Sequence, residues 1–308
     1  MIIRKVLDWR IVLKNTYQRV LSVALMAAAV AFVHQGLNMK YVSFSPAPAS
    51  ILGVAISFLI GFRVNSAYDR WWEGRRLWGA LVNDSRTFAR QIITFLSATH
   101  FPGKDDHTDE LPALKKELIY RHIAFTYALK NHLRQLDIMG EIRPFLHPNE
   151  AATLSTKKHI PNALLHTQGE RLRDLREMGL LDDYRQMQMD VKLSSLCDAM
   201  GGCERIKNTV FPRPYSFYST LFVKLYSYLL PFTLVNDIGY LVIPTAMVIA
   251  FVFYVLDGVA YAVENPFENH ISDTPMSALT RTIEINLREQ LGETELPPPV
   301  EPINGFLF

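Results

Sequence analysis

Four stretches of this chain carry no charged residue and are mostly apolar: 20–33, 47–62, 225–235 with an approach from Phe217, and 238–256. A helix rises about 1.5 Å per residue, so crossing a bilayer core takes roughly 20 residues. The fourth stretch approaches that length. The others are shorter, which is tolerable where flanking side chains snorkel or helices pack within an oligomer. The competing reading is a set of buried helices in a soluble protein. Of the 308 residues 49% are hydrophobic and 20% charged, a mixture best explained by apolar runs in lipid and charge gathered in a separate aqueous part.

The basic residues set an orientation. Arg4, Lys5, Arg10, Lys14 and Arg19 precede the first stretch, and Arg63, Arg70, Arg75 and Arg76 follow the second, whereas only Lys40 lies between them. Positive residues stay inside, so the N-terminus is expected in the cytosol, with the C-terminus returning there after four crossings. The expected location is the cell inner (plasma) membrane. The opening residues lack a compact apolar core followed by a small-residue cleavage site and read as retained. Asn236 and Asp237 suggest a tight external turn between the last two spans. Pro231 and Pro244 fall inside apolar runs, where proline kinks a helix. Lys224, near one end of the third run, reads as a snorkelling cation.

Residues 63–214 show helical periodicity without strand-like alternation. Leu114, Leu118, Ile119, Ile123, Phe125 and Leu129 give an amphipathic helix over 113–136, with further candidates at 181–205 and 277–291. Thr274 and Pro275 are a start signal for the last of these. Residues 103–109 read as a charged turn. The tail from Leu296, with three consecutive prolines, is expected to be extended and mobile. The implied division is 1–62 (N-terminal segment and spans one and two, with a pore-lining helix over about 47–70), 63–214 (cytosolic helices), 215–256 (spans three and four) and 257–308 (cytosolic helix and tail).

Chemistry-bearing motifs are sparse. Nine histidines include no His-Glu-x-x-His pattern, and there is no nucleophile elbow or Walker loop. Cys197 and Cys203 lie six apart, a spacing that suits neither a disulfide framework nor a Cys-x-x-Cys site, and read as reduced thiols. A net charge of +2 implies no nucleic-acid partner. The expectation is a non-enzyme without metal or cofactor.

Val54, Phe58 and Phe62 are spaced by four and stack along one stripe of a helix, beside Ser57, Gly61 and Asn65. Large apolar groups alone would suggest a lipid or core face. The helix, however, continues into Arg63, Asn65, Asp69 and Arg70, which suits close association of several copies around an axis. Rings of these side chains would then form an apolar constriction that gates by dewetting.

The run Ile56, Ser57, Phe58, Leu59, Ile60, Gly61, Phe62, followed by Asn65, Arg70, Trp71 and Trp72, resembles the neck helix of the bestrophins. Leu77, Trp78, Gly79, Ser85 and Arg86 are similar to the bacterial branch. So are Gly202, Cys203, Glu204, Arg205 and Ile206, then Pro212 and Pro214, and Glu264, Asn265, Pro266 and Phe267. The resemblance implies an all-α membrane protein, with four transmembrane helices per subunit and a large helical cytosolic region, assembled as a homopentamer around a central pore. It implies passive conduction of small inorganic ions across the lipid bilayer, chloride or other anions foremost and cations as an alternative. It places the pore neck at Val54, Phe58 and Phe62 and a cytosolic aperture at Met187, for which a core position in its helix is the competing reading. Animal members bind Ca²⁺ with acidic residues after the Asn-Pro-Phe run. Here Glu268 and Asp273 are the acids available, too few for the six to eight oxygens Ca²⁺ takes, so calcium gating is not expected. A non-conducting membrane scaffold and a membrane enzyme remain alternatives.

Overall fold

The structure is a computed structural model that describes residues 1–2, 9–97 and 109–308. Most of the charged turn expected at 103–109 lies outside them, as do Arg4 and Lys5. Ten α-helices are described: α1 (Trp9–Ala31), α2 (Pro46–Phe95), α3 (Leu111–Arg134), α4 (Met139–Ile142), α5 (Pro148–Ser155), α6 (Ile160–Glu177), α7 (Asp183–Asn208), α8 (Arg213–Ile238), α9 (Val242–Val263) and α10 (Met276–Gln290). Among the described residues the only β-type pairings are isolated bridges.

The chain separates into two compact units. One comprises Arg4–Trp71 and Val210–Asn265, the other Met1–Ile3, Trp72–Thr209 and Pro266–Phe308. Helix α2 has 50 residues, about 75 Å at the α-helical rise, and contributes to both. Its prolines, Pro46 and Pro48, sit in the first turn, where a missing N–H interrupts no ladder bond. The chain is therefore helical without a break through residues 62 and 63, where a domain boundary was expected.

The first unit holds α1, the leading part of α2, α8 and α9. Three stretches, Val12–Gly36, Lys40–Phe95 and Arg213–Val263, are long and apolar enough to cross a membrane, the last containing both α8 and α9. Ala27, Ala246 and Ala250 are fully buried, and such small residues let helix backbones approach closely. Val23, Ile56, Ile60 and Val223 pack with them. Val248, Val252, Leu256 and Val259 leave an exposed apolar stripe on α9, the pattern of a helix whose outer face meets lipid.

Two local expectations need correction here. Asn236 and Asp237 are the last turn of α8 rather than a loop, and the reversal falls at Gly239, whose φ of +55° is open to glycine without strain. Pro244 does not kink α9, because it lies in the first turn, where backbone N–H groups have no intrahelical partner. Pro231 does lie inside α8.

The second unit is built around α3. Every residue from Arg121 through Asn131 is buried, so α3 is enclosed on all sides rather than amphipathic. Its charged members survive burial by pairing. Arg121 donates to Glu150 at 2.6 and 2.9 Å and to Glu117 at 2.8 Å, and Lys130 donates to Glu141 at 2.5 Å. His122 lies between Phe88 and Phe125, with ring centroids 5.4 and 5.7 Å away. Burial there lowers its pKa to about 3 and keeps the ring neutral.

Close packing explains two of the sequence signatures. A Cβ on Gly74 would sit 3.0 Å from the Phe267 ring and 3.2 Å from Pro266, so the Asn-Pro-Phe run docks on a bare stretch of α2. A Cβ on Gly202 would meet both Leu77 methyls at 2.9 Å. The prolines leave the tail extended, but its end is held: the Ala278 N–H donates to the Phe308 carbonyl at 2.8 Å and the Leu307 N–H to that of Met1 at 2.9 Å. The Met1 amino group in turn donates to the Leu307 carbonyl. Both cysteines are free, Cys197 exposed and Cys203 buried, with burial pushing the Cys203 thiol up to about 12.

Candidate functional site

Helix α2 inverts the usual pattern of burial. Val54, Phe58 and Phe62 are 58%, 65% and 64% exposed, while Arg63, the next residue along, is 2% exposed. A soluble helix would do the opposite. Arg63 Nη1 donates to Asp257 at 2.5 Å, Ser219 at 2.9 Å and Thr220 at 3.3 Å, and its Nη2 donates to Glu264 at 3.4 Å. Thr220 also donates to Asp257 at 3.0 Å, and Arg19 approaches the same carboxylate at 3.7 Å. Two arginines thus face two carboxylates, and α1, α2, α8 and the α9 end are joined through one charge-balanced cluster.

That cluster sets the rotation of α2. At 100° per residue, Val54 lies about 180°, Phe58 about 140° and Phe62 about 100° around the helix from Arg63. Holding the guanidinium against α8 and α9 therefore turns the apolar stripe away from them. An open groove of about 990 Å³ is lined by the stripe itself and by Ser57, Gly61 and Asn65 on α2, with Tyr226 and Phe253. Gly53 allows α2 to meet Tyr226, since a Cβ there would stand 2.5 Å from the phenol oxygen. No atom lies within 4 Å of a Cβ built on Gly61, so this face is open in the single subunit.

The Arg63 cluster was missed in the sequence, where Arg63 counted only as a basic flank. A signal existed: Asp257 directly follows the uncharged run 238–256, and a carboxylate at the end of a span calls for a cation.

In the second unit Met187 is 57% exposed near the start of α7, with Tyr184 and Val191 also exposed. Their spacing of three and four puts them on one helix face. Met187 is thus no core position of its own subunit. Of the two acids following the Asn-Pro-Phe run, Glu268 accepts from Lys207 at 2.7 Å and Asp273 from the His270 backbone N–H at 3.0 Å.

Comparison with known proteins converges on one family. The profile described as Bacterial/Fungal Bestrophin protein matches residues 6–289. The voltage-dependent anion channel-forming protein RSc3414 of Ralstonia nicotianae is 30% identical over 294 residues, 95% of this chain and 93% of its own. The voltage-dependent anion channel-forming protein YneE of Escherichia coli K12 is 31% identical over 301 residues, covering 97% and 95% of the two chains. Among solved structures, a variant of a bacterial bestrophin homolog from Klebsiella pneumoniae superimposes with a TM-score of 0.83 at 30% identity, covering 91% of this chain and 100% of that one.

Proposed function

The chain belongs to the bacterial and fungal bestrophin family, and from that premise we propose that it is the subunit of an anion channel whose copies, five in number, surround one axial pore lined by α2. The observation that carries this reading is the exposed stripe of Val54, Phe58 and Phe62 on a helix whose neighbouring arginine is buried. A subunit alone has nothing to cover those side chains. Copies arranged around an axis bring them together as stacked apolar rings, a neck whose walls offer ions no replacement for their hydration. Met187, on the exposed face of α7, supplies a second and cytosolic ring.

In this reading the four spans are α1, the leading part of α2, α8 and α9. Arg10, Lys14 and Arg19 before the first span, and Arg63, Arg70, Arg75 and Arg76 after the second, support a reading with both termini in the cytosol of an inner-membrane protein. The role is conduction rather than catalysis. Selectivity for anions rests on the relatives named as anion channels. The arginine nearest the neck does not supply it, because Arg63 is neutralised by Asp257 and Glu264.

The test is single-channel recording of the protein with Val54, Phe58 and Phe62 all replaced by alanine, paired with size-exclusion chromatography. Conductance or open probability should rise while the oligomer keeps its size, and the reversal potential in a salt gradient should follow chloride. If the stripe instead packs between helices, each truncation leaves a cavity costing roughly 2 to 5 kcal/mol, and the assembly weakens. An intact oligomer with unchanged currents would remove these residues from the pore.

A further inference from the structure

Within the unit built around α3, three metal-ligating side chains from distant parts of the chain converge. His132 stands in the last turn of α3, His159 caps the start of α6 and Glu204 lies on α7. Their ligand atoms all lie within 4.8 Å of one another, and they form such a group among the described residues. Glu204 Oε1 is 2.8 Å from His159 Nε2 and 3.7 Å from His132 Nε2, and the two imidazole centroids are 4.6 Å apart.

The geometry is unlike that of a simple hydrogen-bonded pair. Glu204 Oε1 is buried and accepts no hydrogen bond, although an imidazole nitrogen stands 2.8 Å away. The bonding direction of that nitrogen lies in the ring plane, so a contact this short without alignment means the nitrogen points beside the oxygen. A tetrahedral Zn²⁺ with bonds of about 2.0 to 2.2 Å holds neighbouring ligand atoms about 3.3 to 3.5 Å apart. The observed 2.8 and 3.7 Å from Glu204 to the two imidazoles straddle that edge, and all three ligand atoms lie within 4.8 Å of one another. A groove of about 450 Å³, lined also by Gln135 and Asn208, leaves room for a water as fourth ligand. Lys207 at the same groove already bonds Glu268 at 2.7 Å, which offsets its charge.

We propose that His132, His159 and Glu204 form a divalent transition-metal site, with Zn²⁺ the best match, that ties α3, α6 and α7 together. Two imidazoles and one carboxylate suit zinc, whereas Ca²⁺ and Mg²⁺ take oxygen ligands. His159 Nδ1 accepts the Asn162 N–H at 3.2 Å, while its Nε2 stands 2.8 Å from Glu204. A metal bond at Nε2 would leave Nδ1 carrying the ring proton and so exchange this long capping bond for coordination. This inference is independent of ion conduction.

The experiment uses the full-length oligomer in detergent, stripped with a chelator and titrated with Zn²⁺ alone by calorimetry, and with Co²⁺ followed by visible absorption. The wild type should bind one more zinc per subunit than the variant carrying His132→Ala and Glu204→Gln. Its Co²⁺ form should show tetrahedral d–d bands that the variant lacks, and zinc should raise only the wild-type melting temperature. His159→Asn keeps a good N-cap while removing the ring nitrogen, so it should fold normally yet bind zinc at least about a hundredfold more weakly. Equal zinc stoichiometry in wild type and double variant, or wild-type affinity in a folded His159→Asn protein, would overturn the site.

Discussion

Two buried arginines show how differently the two units use the same device. Arg121 is enclosed within the α3 unit and paired with Glu117 and Glu150, and around it apolar side chains such as Phe88, Leu118 and Ile123 are buried as a soluble core requires. Arg63 is buried as deeply and paired with Asp257 and Glu264, yet the phenylalanines beside it face outward. In the first setting pairing only makes an ion tolerable inside a core. In the second it also decides which face of a helix is left for something other than the subunit. On the reading proposed above, the difference lies in what surrounds each unit: water drives apolar groups inward in one, while lipid and an axis of identical copies would accept them on the outside of the other.

The largest effect should come from removing the anchor of that second arrangement. Asp257→Ala leaves the Arg63 guanidinium in a buried setting without its 2.5 Å partner, a loss of about 3 to 5 kcal/mol. Thermal unfolding monitored by size exclusion should show an early loss of the oligomer, and Asp257→Glu should recover part of it. A stable, wild-type-sized assembly for Asp257→Ala would mean that the cluster does not set the rotation of α2.

A smaller effect, confined to the α3 unit, concerns pH. The folded His122 has a pKa near 3 against an unfolded value of 6.5. Above 6.5 neither state holds the extra proton, so the group has no influence. As pH falls below 6.5 the unfolded chain takes up a proton that the folded chain refuses, and stability declines until about pH 3. By about pH 5 the loss is on the order of 2 kcal/mol. Denaturation followed at several pH values should show this slope in the wild type and a shallower one in His122→Phe. Equal slopes would place the acid sensitivity elsewhere.

The smallest effect separates two glycines of the same helix. Gly74→Ala should lower stability by about 1 kcal/mol, because its methyl group would press on Phe267 and Pro266. Gly61→Ala meets nothing within 4 Å beyond its own helix turn in the subunit and should leave the melting temperature unchanged or slightly raised, since alanine favours a helix interior over glycine. Dissociation of the Gly61→Ala oligomer would show that this face is a packed helix contact, and the contrast between the units would need redrawing.

Particular residues show where sequence reasoning reached and where it stopped. The stripe at 54, 58 and 62 was legible because helical spacing is a local property, and the helices α7 and α10 were found by the same periodicity. Helix α3 was misjudged as amphipathic, since the acids that let Arg121 and Lys130 enter a core come from α5 and α4 as well as from its own turns. The α8 turn was misplaced because Asn236 and Asp237 carry loop propensity, while the conformation that reverses the chain belongs to Gly239.

From the sequence alone came the apolar runs, the helical periods and the family resemblance, all of which depend on composition and spacing along a few turns. Only the tertiary structure decided which charges are buried and which metal-ligating side chains meet. Arg63 and Asp257 are 194 positions apart, and Glu204 lies on a different helix from His132 and His159. Pairings over such distances have no local period to betray them, because they arise from the packing of helices and not from the order of residues within any one of them.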